Sequence, residues 1–159
     1  MRDLLLKLGD PKISLDEAKA TARTLSAFGH FAVPPLISVL ESGADTKILA
    51  AEEGLRTAGL SNPTAVCEQL LRILNNRTRL FSLETHRRTI RLTGQLGCRD
   101  AMPLLREYSL LIDSSSGRQD QTPLRSIFKD TSTLNLRTLD QMSYEVSESL
   151  KLLEGAEAY

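Results

Sequence analysis

Eight arginines stand between Arg72 and Arg106, at positions 72, 77, 79, 87, 88, 91, 99 and 106, against only Glu84 and Asp100. No lysine shares this segment. A guanidinium is a planar, permanently charged fork that matches a carboxylate or a phosphate through two parallel hydrogen bonds, so the cluster points to recognition of anions rather than to acid–base work. Within it, Glu84, Arg87, Arg88, Arg91 and Gln95 follow helical spacing, which gathers three guanidiniums on one stripe opposite Ile90 and Leu96. Arg87, Arg88 and Arg91 are therefore the first candidates for partner binding, with Arg72 and Arg106 next if second helices line the binding side. Three outcomes compete: an acidic protein partner, a nucleic-acid backbone, or internal ion pairs with the acidic end of the chain, where nine acids face five bases from Glu107 onward.

Other reactive residues carry less. Cys67, Cys98, His30 and His86 are the whole stock of cysteine and histidine, and none lie at the short spacings that metal sites use, so no metal or other cofactor is expected. The cysteines read as small buried hydrophobes of a reducing, cytoplasmic compartment rather than a disulfide framework. Ser114, Ser115 or Ser116 with His86 and Asp113 would need a positioned base and an oxyanion hole, and a polar serine run supplies neither. The adjacent acids Asp16-Glu17 and Glu52-Glu53 diverge on a helix and cannot act as an acid–base pair. Phosphate-loop, dinucleotide and zinc-protease motifs are missing, so no catalytic residue is expected.

The elements that must position the arginines are helices. The chain has 159 residues, 41% hydrophobic and 25% charged, with Lys+Arg and Asp+Glu equal at 20 each. That length suits one domain able to bury roughly 70% of its unfolded surface, and the zero net charge gives no global attraction to nucleic acid or membrane. The N-terminal MRDLLLKLGD is too short in its apolar part for a signal peptide, and no apolar run reaches the ~20 residues of a membrane span. Aromatic residues are only 4%, so the interior is built from Leu, Ala, Ile and Val.

Ser14-Leu15-Asp16-Glu17 is a capping box that opens a helix over about 15–28, with Ala18, Ala22, Leu25 and Phe28 on its buried face and Gly29 at its end. Pro34 and Pro35 suit the first turn of a second helix, which Gly43 stops. The pattern returns after Asp45, with Ile48, Ala51, Leu55 and Ala58 inward, Gly59 as terminator and Asn62-Pro63 opening a partner helix through Val66, Leu70, Ile73 and Leu74. It returns again from about Leu83 to Gly97, then Pro103. The terminal glycines Gly29, Gly59 and Gly97 recur at 30 and 38 residues. One helix pair cannot bury both its apolar faces, so repeated pairs of this size imply stacking into an armadillo-like solenoid.

The phrases Gly29-His-Phe-Ala-Val-Pro-Pro-Leu-Ile and Gly97-Cys-Arg-Asp-Ala-Met-Pro-Leu-Leu resemble the short HEAT-like repeats typified by phycobilin lyase subunits. The resemblance covers about Leu15 to Ile112. It implies an all-α solenoid of about three helix pairs, at 15–43, 45–76 and 82–113, within a repeat region 1–113. A polar loop over 114–122 and a helical cap over 123–159 complete the expected organisation. In the cap, Leu139, Met142, Val146, Leu150 and Leu153 mark an amphipathic helix of about 136–154. The functional expectation is a cytoplasmic, non-enzymatic scaffold that binds a protein with an acidic surface. The alternatives are phosphate-backbone binding by the arginine-rich third pair and, from the resemblance alone, membership in a chromophore lyase-like enzyme; a homo-oligomer is also admitted.

Overall fold

Ser14 accepts a hydrogen bond from the Glu17 amide at 3.2 Å and opens helix α2, Leu15–Leu25, which follows a short α1, Arg2–Leu8. From Ser26 to Ala32 the chain tightens into a 3₁₀ stretch broken at Gly29, whose φ of 62° and ψ of −136° are open to glycine and costly for other residues. The proline-primed α3, Val33–Ser42, follows and ends at Gly43. These coordinates come from a computed structural model, which describes residues 1–118, 122–132 and 134–157.

Helix α4, Asp45–Ser61, starts one residue earlier than a cap at Asp45 would require: Ala44 holds the extended N-cap position and Asp45 sits in the first turn, where its charge suits the helix N-terminus. Gly59 does not end α4 as expected but lies buried inside it. The stop comes at Asn62, because Pro63 has no amide to continue α4 and drives its predecessor out of helical geometry. Pro63 then begins α5, Pro63–Asn75. After a turn, Ser82 accepts from the Thr85 amide and opens α6, Leu83–Gln95. Gly97 (φ 70°) and the 3₁₀ turn Arg99–Ala101 lead into α7, Met102–Arg118, with Pro103 in its first turn. The serine run at 114–116 is thus not a loop: α7 continues through it, and of the expected 114–122 loop, residues 119–121 lie outside the described residues. A single turn α8, Thr122–Arg125, and the long α9, Leu136–Glu157, complete an all-helical chain with no strand among the described residues.

Two units divide the chain, Met1–Gln69 and Leu70–Tyr159. In the first, α4 is central and packs on α2 and α3. Its inward face is small, with Ala50, Ala51, Gly54 and Ala58 buried, so α2 approaches closely: a Cβ on Gly54 would stand 3.0 Å from the Ala22 Cβ. Phe28, expected on the buried face of α2, is instead exposed, because α2 ends at Leu25 and the tighter turn that follows rotates Phe28 outward.

In the second unit α9 is central and packs on both α6 and α7. Leu139, Met142, Val146 and Leu153 are all buried. Burying each such side chain contributes about 1.5–3 kcal/mol relative to leaving it in water, more than a partly exposed ion pair does, so the apolar face anchors α9 and charge sets its orientation. The close approach occurs at Gly94 of α6, where an added Cβ would lie 2.8 Å from the Ser149 Cα, and Ser149 Oγ donates to the Ile90 carbonyl at 2.9 Å. No helix of the described residues is long and apolar enough to cross a membrane.

Candidate functional site

The capped start of α6 places Glu84, Arg87, Arg88 and Arg91 along one helical face, and that face meets α9. Arg91 donates from Nη2 to Glu145 Oε1 at 2.6 Å and from Nε to Oε2 at 3.3 Å. Arg87 reaches the same carboxylate from Nη1 at 3.2 Å and turns its other nitrogens to Glu84 Oε2, the nearer at 2.7 Å. Arg88 stands 3.8 Å from Glu84. Glu145 is only 8% exposed. A carboxylate that deep is stable as an ion only when opposite charge and hydrogen bonds replace its water, which two guanidiniums here do.

The structure therefore brings Arg87, Arg88 and Arg91 together, as the helical spacing expects, but it turns Arg87 and Arg91 onto an acid of the same chain. Arg72 on α5 and Arg106 on α7 are exposed, Arg106 with a loose 3.7 Å approach to Glu154. Beside the α6–α9 seam a cleft of about 300 Å³ is lined by Arg87, Asp140, Gln141, Tyr144 and Glu145. Its two carboxylates face one guanidinium already engaged with Glu145, an arrangement that repels an anionic ligand rather than holding one.

A second polar cluster lies deep in the same unit. Tyr108, fully buried, donates its phenol proton to the Leu74 carbonyl at 2.9 Å, so the 2.8 Å contact from His86 Nδ1 must be a donation from the ring to the phenol oxygen. Arg77 lies over the Tyr108 ring, 5.6 Å from its centroid, and pairs with Glu107 at 2.6 Å. Burial pushes the Tyr108 phenol far above its ordinary value, with the nearby Arg77 charge opposing and Glu107 reinforcing that shift. Hydrogen bonding to Arg77 holds the Glu107 carboxyl below the usual range. Phe128 stacks edge-on to His86 at 5.0 Å. This arrangement fixes the α6–α7 pair; it offers no accessible base.

The remaining sequence candidates do not converge. His86 is buried against Tyr108, whereas Asp113 and Ser114 are exposed on α7, and the side chains of Ser115 and Ser116 lie outside the described residues. His30 stacks on Phe31. Among the described residues no group of three or more His, Cys, Asp or Glu is placed to hold a metal ion. The cysteine expectation needs correction: neither Cys67 nor Cys98 is a free thiol, and both are disulfide-bonded. Disulfides persist in oxidising compartments, so the cysteines no longer argue for a cytoplasmic location.

Glu145 was legible only in part. It sits three residues after Met142 and one before Val146, on the apolar stripe of α9, and an acid in that register signals a buried partner of opposite charge. Which partner, 54 residues upstream, is information that only the fold carries. No family model, no curated protein and no solved structure matches this chain.

Proposed function

We propose that this chain is a non-enzymatic adaptor, a short α-solenoid of three HEAT-like helix pairs closed by its C-terminal helix, which binds an acidic protein partner through arginines on its second helices. Support for the architecture comes from α2/α3, α4/α5 and α6/α7, each a helix, a short turn and a proline-started second helix. The reading of the partner rests on one observation, the different placement of the arginines. Arg87 and Arg91 share the buried Glu145 with α9, while Arg72 and Arg106 stand exposed on α5 and α7. Exposed arginines supply orientation and on-rate toward a surface of opposite charge, with affinity concentrated in a few anchors.

The test uses the full chain as bait in a lysate of its source cell, beside the variant Arg72→Glu/Arg106→Glu. The expected result is loss of a captured protein from the charge-reversed bait, at unchanged thermal stability, with the same loss when salt is raised. Identical capture by both baits would remove these two residues from the binding surface.

A further inference from the structure

Two stretches of the first unit carry no Asp, Glu, Lys or Arg, from Thr24 to Leu40 and from Thr57 to Cys67. They contain the turn between α2 and α3 and the turn between α4 and α5, and these turns touch: Asn62 Nδ2 lies 3.4 Å from where a Cβ on Gly29 would stand. Within two residues of that contact, three large apolar side chains face solvent. Phe28 is 42% exposed, Phe31 67% and Leu60 80%. The His30 ring packs on Phe31 with centroids 4.2 Å apart and a tilt of 32°, which holds an exposed phenylalanine in place. Half of the chain's four phenylalanines are therefore on this edge, and the interior does not use them.

We infer that this edge is where a second copy of the same chain docks. In a two-fold dimer the same patch meets itself, so every charge on it opposes its own kind; a patch assembled from two charge-free stretches incurs no such repulsion. The chain's net charge of zero removes the long-range repulsion between copies as well. A strongly acidic or basic partner would find nothing here to pair with, in contrast to the arginine-bearing second unit. Three large side chains and the turns beneath them make a small contact, in the class below about 1,200 Å² that forms and dissociates rather than locking permanently. The dimer is thus concentration-dependent.

Sedimentation equilibrium of the full chain, from micromolar to near-millimolar concentration, tests this directly. The weight-average mass should climb from one chain toward two, and Phe28→Ser/Phe31→Ser/Leu60→Ser should remain at one chain throughout while melting at the wild-type temperature. Because the contact is apolar, high salt should leave the wild-type dimer intact or strengthen it. A wild-type chain that stays single over the whole range overturns the inference, whatever other protein then covers the edge. So does a triple variant that dimerises like the wild type, or a dimer dissolved by salt, which would place the contact on charged surfaces instead. The single variant Phe31→Ser, at the edge's exposed ring, should weaken dimerisation by at least about tenfold, the effect of losing one well-buried apolar anchor.

Discussion

Arg91 holds Glu145 through two nitrogens, Nη2 at 2.6 Å from Oε1 and Nε at 3.3 Å from Oε2, and so ties α6 to α9 across 54 residues of sequence. Removing one partner of a well-buried pair costs about 3–5 kcal/mol, and of a surface pair under about 1. Arg91 is about one-third exposed and Glu145 about one-tenth, which puts Glu145→Gln near 2 kcal/mol. For a chain of this length that corresponds to a fall in Tm of about 4–8 °C. A double-mutant cycle with Arg91→Gln should show coupling above about 0.5 kcal/mol; additive losses would mean that the contact contributes nothing of its own.

The crossing of α6 and α9 at Gly94 gives a steric counterpart. A methyl group there would stand 2.6 Å from Ser149 Oγ and 2.8 Å from its Cα, so Gly94→Ala forces the helices apart and should cost about 1–3 kcal/mol despite alanine's better helix propensity. Ser149→Ala loses only the bond to the Ile90 carbonyl and should cost about 1 kcal/mol. Adding Ser149→Gly to Gly94→Ala should recover part of the loss, because it removes the side-chain clash and leaves the approach to Cα. Denaturant midpoints of the four chains check this. Equal stability of Gly94→Ala and wild type would mean that the helices do not approach so closely in solution.

What the sequence made legible was local. Ser14 as a cap, the prolines in the first turns of α3, α5 and α7, and the apolar stripe of α9 all follow from spacings of a few residues. Gly59 misled because a glycine is only a permissive stop, whereas Asn62-Pro63 is an obligatory one. Ser114 to Ser116 misled because serine costs a helix only about 0.5 kcal/mol per residue, too little to end one already propagating along α7. The arginine stripe was placed correctly on its helix, but its role depends on Glu145, and pairings between distant elements leave little trace in one sequence. Cys67 and Cys98 show the same limit: a count of two thiols is silent on whether the fold leaves them free.

Thiol titration settles the state of those cysteines. Unfolded in denaturant without reductant, the chain should show no titratable thiol, and after reduction it should show two. Two thiols before reduction would restore the reading of the pair as buried, reduced hydrophobes. The reduced chain should also melt lower, since loss of a native disulfide typically costs about 2–5 kcal/mol.

Tyr108 makes the fold sensitive to alkali. Its folded-state value is raised by burial, so the folded chain keeps the phenol protonated while the unfolded chain releases that proton near the ordinary value of 10.0. The sign follows: stability from this group is complete below pH 10 and is lost as pH rises above it, because only the unfolded state gives up the proton. In a spectroscopic titration, tyrosinate absorbance from Tyr108 should appear only together with loss of helical circular dichroism. Tyr108→Phe should abolish the late step and lower neutral-pH stability by about 1–3 kcal/mol, since the Leu74 carbonyl and His86 Nδ1 lose a partner in a buried setting. Smooth ionisation of Tyr108 in a chain that stays helical would show that its phenol reaches water.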